Sequence, residues 1–137
     1  MAQGAIRIQR KRGDVRMVLT VLLMLVTTPT FAEWMQVGEP DEGVYYLDPA
    51  TISKDGRLRR ISELINLTAR DRDGGLSRRY LKEYDCKQKR LRLLSGSTNS
   101  GPMATGKALF SVNNPGKWND VPSDTIAETI FKFACSR

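Results

Sequence analysis

The chain of 137 residues contains no histidine, and this absence excludes several kinds of active site. The Ser–His–Asp and Cys–His arrangements of hydrolases use a histidine as general base, and the common zinc sites include histidine ligands. Neither arrangement is available to this sequence. It carries no complete cofactor motif either, so we expect a protein without a cofactor or a bound metal.

Long apolar runs are also lacking. The longest, residues 17–26, is shorter than the roughly 20 residues needed to cross a bilayer. Five basic residues and one acid precede it, and a short polar stretch ending at Ala32 follows it. A basic head, an apolar middle and a small residue at the exit are typical of a secretory signal peptide. We therefore predict a signal peptide over residues 1–32 and one exported domain over residues 33–137, with an uncleaved anchor or a buried helix as the alternatives.

Cysteine is scarce, since only Cys86 and Cys135 are present and both lie in the predicted exported domain. An even count in an oxidising compartment favours a disulfide, and two cysteines allow one intramolecular pairing. The bridge would close a loop of about 50 residues, which corresponds to roughly 4 kcal/mol of stability. Cysteines joined in this way also leave no thiol nucleophile.

Strand-like segments fill most of the exported domain, and a helix follows them. Val44–Leu47 is rich in aromatic and branched residues, and Tyr80, Tyr84 and Cys86 share one parity along a strand, so they would point to one face. Lys82 shares that parity and needs either water or an acidic partner. We predict about six antiparallel strands, placed at residues 34–37, 44–47, 58–68, 77–86, 89–94 and 107–112.

The final segment changes from strand to helical periodicity. Apolar residues recur at helical spacing between Ile126 and Ala134, and Thr125 with Glu128 suits a capping box. We predict a helix from about Ser123 to Ala134 that covers one face of the sheet. With Cys135 just beyond it, the disulfide would tether the helix to the sheet, which gives an α+β fold.

Acidic residues are outnumbered, and the excess of basic residues is concentrated in one region. Residues 54–92 contain thirteen basic and six acidic residues, whereas residues 33–53 contain five acids and no base. Clustered cations attract polyanions, because arginine binds sulfate, phosphate and carboxylate groups through paired hydrogen bonds. The alternative is that these charges only keep exposed strands soluble and unpaired. The candidate polyanion-binding residues are Arg78, Arg79, Lys87, Lys89, Arg90 and Arg92.

Two other functional interpretations find little support. Residues 101–107 begin like a phosphate-binding loop, but Ala108 stands where a hydroxyl residue should hold the metal, and Pro102 removes a backbone donor, so we expect no nucleotide. A periplasmic hydrolase would need paired carboxylates. Asp48, Glu83 and Asp85 are the candidates, yet nothing in their spacing arranges them as a pair.

An ordered set of short motifs between residues 34 and 135 matches the pattern of a known protein family. Each motif is short, but their order and the two cysteines make the set informative. The motifs are Trp34, Tyr45–Ile52, Asp55–Gly56, Ser62–Asn66, Ser77, Glu83–Cys86, Arg90, Gly106, Trp118–Ser123 and Cys135.

With these motifs the chain resembles the surface-adhesin protein E family of bacterial envelope proteins. The resemblance implies an antiparallel sheet with a C-terminal helix fastened by the cysteine bridge. It also implies binding to extracellular matrix or serum proteins of a host. Two departures stand out. No cysteine for lipid attachment lies at the predicted cleavage site, and Ser62 stands where relatives tend to carry an aromatic residue.

Three functions remain open from the sequence. The first is an exported, non-enzymatic module that binds proteins or anionic polysaccharide, either in the periplasm, at the cell surface or after secretion. The second is a structural periplasmic protein with no specific ligand, and the third is the carboxylate-dependent hydrolase. The sequence also leaves open whether the protein forms a homo-oligomer.

Overall fold

The structure is a computed structural model that describes Gly4 and residues 32–137. The predicted signal peptide therefore lies almost entirely outside the described residues. Residues 32–137 form one compact unit, and no helix in it is long and apolar enough to span a membrane. Its elements are β1 (Met35–Gly38), β2 (Gly43–Asp55), β3 (Leu58–Leu67), β4 (Ser77–Asp85), β5 (Arg90–Asn99), β6 (Ala108–Val112), β7 (Asn119–Asp120) and α1 (Ile126–Cys135).

The strands form one antiparallel sheet in the order β1-β2-β3-β4-β5-β6, with the short β7 pairing the first part of β5. Sequential order means that every neighbour is reached by a short connection, as expected for a meander. The helix α1 packs on one face of this sheet. The predicted α+β arrangement of an antiparallel sheet with one covering helix is confirmed.

Alternation along β4 separates two faces of the sheet. Tyr84 packs with the core beneath α1, so β4 residues of the same parity, including Lys82, point to what we call the helix face. Residues of the other parity, including Glu83 and Asp85, point to the opposite side, which we call the outer face. Of the two environments expected for Lys82, water or an acidic partner, the structure shows the second, because Lys82 Nζ lies 2.7 Å from an oxygen of the buried Glu63.

The strand β2 is much longer than predicted, since it runs through a segment that we expected to be a turn. Its register with β3 shifts between Asp48 and Ser53, which marks a bulge. Within the bulge, the Thr51 hydroxyl donates to the Asp48 carbonyl at 2.7 Å and accepts from the Ser62 amide at 2.9 Å. A side chain thus replaces the missing backbone partner, and the strand continues past Pro49.

The strand β5 also extends beyond its predicted end, into the polar residues 95–99. Its C-terminal half is held on both sides, because Ser97 pairs with Arg79 of β4 and with Ser111 of β6. The following loop returns over the outer face, where the Ser77 hydroxyl donates to the Gly101 carbonyl at 2.6 Å. The segment that resembles a phosphate-binding loop therefore serves as a cover for the sheet.

The helix α1 starts three residues later than predicted. Residues 123–125 form a turn, with a positive φ of 59° at Asp124, and the Thr125 hydroxyl caps the helix by accepting from the Glu128 amide at 3.2 Å. The Glu128 carboxylate accepts from Lys89 and Lys132 at 2.8 and 2.9 Å. Hydrogen bonds from these two lysines lower the pKa of Glu128 to about 2.

The core lies between the helix face and α1, where the buried residues are Leu47, Ile61, Tyr84, Val121 and Ile130. The Tyr84 ring approaches Phe131 with centroids 6.3 Å apart, and its hydroxyl donates to the carboxylate of Glu63. Burial, the nearby negative charge and this bond raise the pKa of Tyr84. The predicted Cys86–Cys135 disulfide is present and joins the sheet to the last residue of α1.

Candidate binding surface

The outer face carries a compact group of charges where β3, β4 and β5 lie side by side. Two buried carboxylates, Glu83 and Asp85, each contact two arginines. Glu83 lies directly opposite Arg60 of β3 and Arg92 of β5. Asp85 lies directly opposite Leu58 of β3 and Arg90 of β5. We call this group the arginine cluster, and it consists of Arg57, Arg60, Arg90 and Arg92 with Glu83 and Asp85.

Glu83 is completely buried and is held by both of its neighbours. Arg60 Nε donates to one carboxylate oxygen at 2.7 Å, and Arg92 Nε donates to the other at 2.9 Å. The Arg92 Nη2 atom lies 2.7 Å from that second oxygen. Burial opposes the charged form, but the hydrogen bonds from the two arginines outweigh it and lower the pKa of Glu83. The carboxylate therefore stays ionised and fixes both guanidinium groups.

Asp85 ends β4 and orders the turn that follows it. Its Oδ1 accepts from the backbone amides of Lys87 and Gln88, each at 3.0 Å. Its Oδ2 lies 3.3 Å from Arg57 Nε and 3.8 Å from Arg90 Nη2. Burial raises the pKa of Asp85, yet the two amides and the arginine charges outweigh this effect and the pKa is lowered.

Both tryptophans of the described chain lie against arginines. The Trp118 ring centre is 4.6 Å from the guanidinium carbon of Arg92 and 5.4 Å from that of Arg90. The Trp34 ring centre is 5.8 Å from the guanidinium carbon of Arg79. Such contacts attract the cation to the aromatic face and restrict its motion.

The six predicted polyanion-binding residues do not share one face. Arg79, Arg90 and Arg92 lie on the outer face, whereas Arg78 has the opposite parity and lies 3.1 Å from Asp71. Lys87 and Lys89 occupy the turn between β4 and β5, and Lys89 pairs with Glu128 of α1. Within residues 32–137, only Arg79 and Lys87 of the six make no ion pair.

Sequence reasoning left out two residues of the arginine cluster from its candidates, namely Arg57 and Arg60, and also the contacts of the tryptophans. Arg60 is distant from Glu83 in the chain, and only the register of β3 against β4 brings them together. The available signal was the shared outward parity of Arg60 and Ser62 on β3. That parity does not identify the neighbour across the sheet.

Of the three carboxylates that we considered for hydrolysis, two lie in the arginine cluster and the third lies on β2. Asp48 lies on β2, where its Oδ1 accepts from the Ala50 amide at 3.0 Å, and Glu83 and Asp85 serve the arginine cluster. Among residues 32–137, no group of three acidic or cysteine side chains is arranged to hold a metal ion. Glu83 and Asp85 thus serve to position the arginines around them.

Comparison with known proteins is consistent with this architecture. The family model described as surface-adhesin protein E matches residues 34–136. No curated protein matches the chain. Solved structures of Haemophilus influenzae protein E resemble it at 14% identity over 80% of this chain. Crystal form II gives a TM-score of 0.58 with 91% of that chain covered, and the selenomethionine form gives 0.60 with 91% covered.

Proposed function

Because the chain belongs to the surface-adhesin protein E family, we propose that it is an exported, non-enzymatic envelope protein that binds host or envelope macromolecules through its outer face. The observation that carries this proposal is the arginine cluster. Four arginines share two carboxylates, so the cluster keeps a surplus of two positive charges. Anionic polysaccharide and acidic patches on matrix or serum proteins are the matching partners.

The cluster can accept a ligand without losing its own ion pairs. The side chains of Arg57 and Arg60 remain 51% and 47% exposed while each binds its carboxylate through Nε. The terminal nitrogens of these guanidinium groups are therefore available to sulfate, phosphate or carboxylate oxygens. We propose that Arg79 and Lys87 also bind anionic groups of the ligand, since neither forms an ion pair within residues 32–137.

The proposed location is outside the inner membrane. A predicted signal peptide and membership of an adhesin family both support export. Residues 1–32 contain no cysteine that could carry a lipid. We therefore favour an unlipidated protein of the periplasm. The alternative location is the cell surface, where the protein would be in contact with matrix or serum proteins of a host.

The titration of the cluster supports a binding role over a hydrolytic one. A general acid must hold a proton at working pH, which requires a raised carboxyl pKa. Hydrogen bonds and positive charge outweigh burial and lower the pKa of both Glu83 and Asp85. These carboxyl groups are ionised at neutral pH, which suits the positioning of arginines.

Heparin chromatography of the protein purified without its signal peptide tests the proposal. The variant Arg57→Gln/Arg60→Gln removes two exposed cations and leaves each carboxylate one arginine partner. We expect it to elute at clearly lower salt than the wild type, with a salt dependence of binding reduced by roughly one to two counterions. Circular dichroism should report an unchanged fold.

The matched control is Arg72→Gln/Lys107→Gln, which makes the same change in net charge at the other end of the strands. It should elute close to the wild type. Equal shifts for the two variants would mean that heparin responds only to net charge. That result, or no retention of the wild type at low salt, would contradict binding through the arginine cluster.

A further inference from the structure

The outer face contains a cavity of about 390 Å³ beside the arginine cluster, between β3, β4, β5 and β6. We call it the serine pocket. Its volume lies toward the lower end of the range of small-molecule sites, roughly 300–1,000 Å³, so it suits one or two sugar rings better than a polymer. The residues that line it include Ser62, Arg79, Leu81, Ser95, Ser97 and Ser111.

The strand register explains why a cavity forms at this place. Ser62, Leu81 and Ser95 face one another across three strands, and in the next row Ser97 lies between Arg79 and Ser111. Small side chains in two adjacent rows leave space above the sheet. The register also shifts between Leu81 and Lys82, where β4 meets β5, and an irregularity of this kind bends the sheet.

Three of the four serine hydroxyls in the pocket make no hydrogen bond to the rest of the described chain. Ser62 is only 7% exposed, and its hydroxyl has no hydrogen-bond partner among residues 32–137. The hydroxyls of the half-buried Ser95 and the exposed Ser111 also make no hydrogen bond within this range, whereas the Ser97 hydroxyl donates to Asn99 Oδ1 at 3.1 Å. A serine hydroxyl both donates and accepts hydrogen bonds, so hydroxyls that bond to no protein group suit a ligand with several hydroxyl groups of its own.

The charge of the pocket is positive. No acidic side chain lines it, and Arg79 is exposed without an ion pair in the described chain. The nearby Trp34 ring restricts the guanidinium group, which therefore loses less freedom when it binds. A free guanidinium matches a carboxylate through two parallel hydrogen bonds.

We propose that the serine pocket binds a sugar unit carrying a carboxylate, with the acid on Arg79 and the sugar hydroxyls on the serines. Leu81 supplies apolar contact for the C–H groups of the ring. The inference rests on the proposed binding function and deepens it. The row of Arg60, Glu83 and Arg92 borders the row of Ser62, Leu81 and Ser95, so further charged units of one chain could lie across the arginine cluster.

Titration with glucuronic acid, followed by amide shifts in nuclear magnetic resonance spectra, tests the pocket. Glucose serves as the neutral match. We expect glucuronic acid to bind at millimolar concentration and to shift residues 95–97 and 111–113, with affinity roughly tenfold or more above that of glucose. Arg79→Gln should reduce glucuronic acid to the affinity of glucose. Arg72→Gln, the same change on a distant loop, should have no effect.

A second variant tests the space itself. Ser111→Trp places a large ring from the exposed edge strand β6 into the pocket and should abolish the shifts by both sugars. Three results would each contradict the proposal that the serine pocket binds a sugar carboxylate. They are absence of binding by the wild type, equal binding of the two sugars, and an unchanged affinity for glucuronic acid in Arg79→Gln. Retention on heparin that depends on Arg57 and Arg60 would survive such a result, so the two proposals can fail separately.

Discussion

Removal of the disulfide gives the sharpest test of how this small domain is held together. The variant Cys86→Ser/Cys135→Ser deletes the bond between the end of β4 and the last residue of α1. Both cysteines are only partly buried, so the substitutions leave no large cavity. The dominant effect should therefore be the freedom that the unfolded chain regains.

The magnitude follows from the loop that the bond closes. The two cysteines are separated by 49 positions, for which loop-closure entropy gives about 4 kcal/mol at room temperature. Small domains have net stabilities of roughly 5–15 kcal/mol, so this is a large share. With an unfolding entropy of about 0.2 kcal/mol per kelvin for a domain of this size, we expect the melting temperature to fall by roughly 20 °C.

Urea denaturation of the oxidised wild type and of the double-serine variant measures this difference. The wild type under reducing conditions is the control and should match the variant. The variant should still fold at room temperature, because Ile130 and Ala134 keep α1 packed on the sheet. A loss of less than about 1 kcal/mol would refute the reasoning, since it would mean that the bond barely restricts the unfolded chain.

Two further predictions concern the charges and the core. The pKa values of Asp71, Glu83 and Asp85 are lowered in the folded protein. Their contribution to stability is therefore complete above about pH 5, which is one unit above the ordinary carboxyl pKa near 4, and it declines as the pH falls further. The urea midpoint should drop steadily on acidification below about pH 5, and a constant midpoint would contradict this. Ile130→Ala should lower the free energy of unfolding by about 2–5 kcal/mol in the same assay, because Ile130 is 1% exposed. Its retention on heparin should be unchanged, since the proposed binding residues lie on the outer face.

Local patterns in the sequence were sufficient to predict the architecture. Alternation from Ser77 to Cys86 placed one side of β4 correctly, and helical spacing after Thr125 placed α1. The unusual position of Lys82 on an apolar side predicted either exposure to water or an acidic partner, and the partner is Glu63. These features depend on neighbours close in sequence, on simple periodicity, or on a pairing of two cysteines that has only one solution.

Features that depend on register could not be predicted in the same way. The bulge in β2 relies on Thr51, whose hydroxyl bridges Asp48 and Ser62, so a segment rich in turn residues continues as a strand. The arginine cluster likewise depends on Arg60 lying opposite Glu83. A shift of the register by one residue would turn these side chains to different faces, and no local pattern fixes it.

The ion pairs also change how the basic composition should be interpreted. Of the thirteen cations in residues 54–92, seven form ion pairs in the described structure. Their acidic partners include the buried Glu63, Glu83 and Asp85. Counting charge along the chain therefore overstates the number of free cations. The same count gives no indication, however, of how firmly the paired arginines are held in place. A buried carboxylate beneath two arginines fixes both guanidinium groups, so an approaching polyanion meets oriented charges and less side-chain entropy is lost on binding.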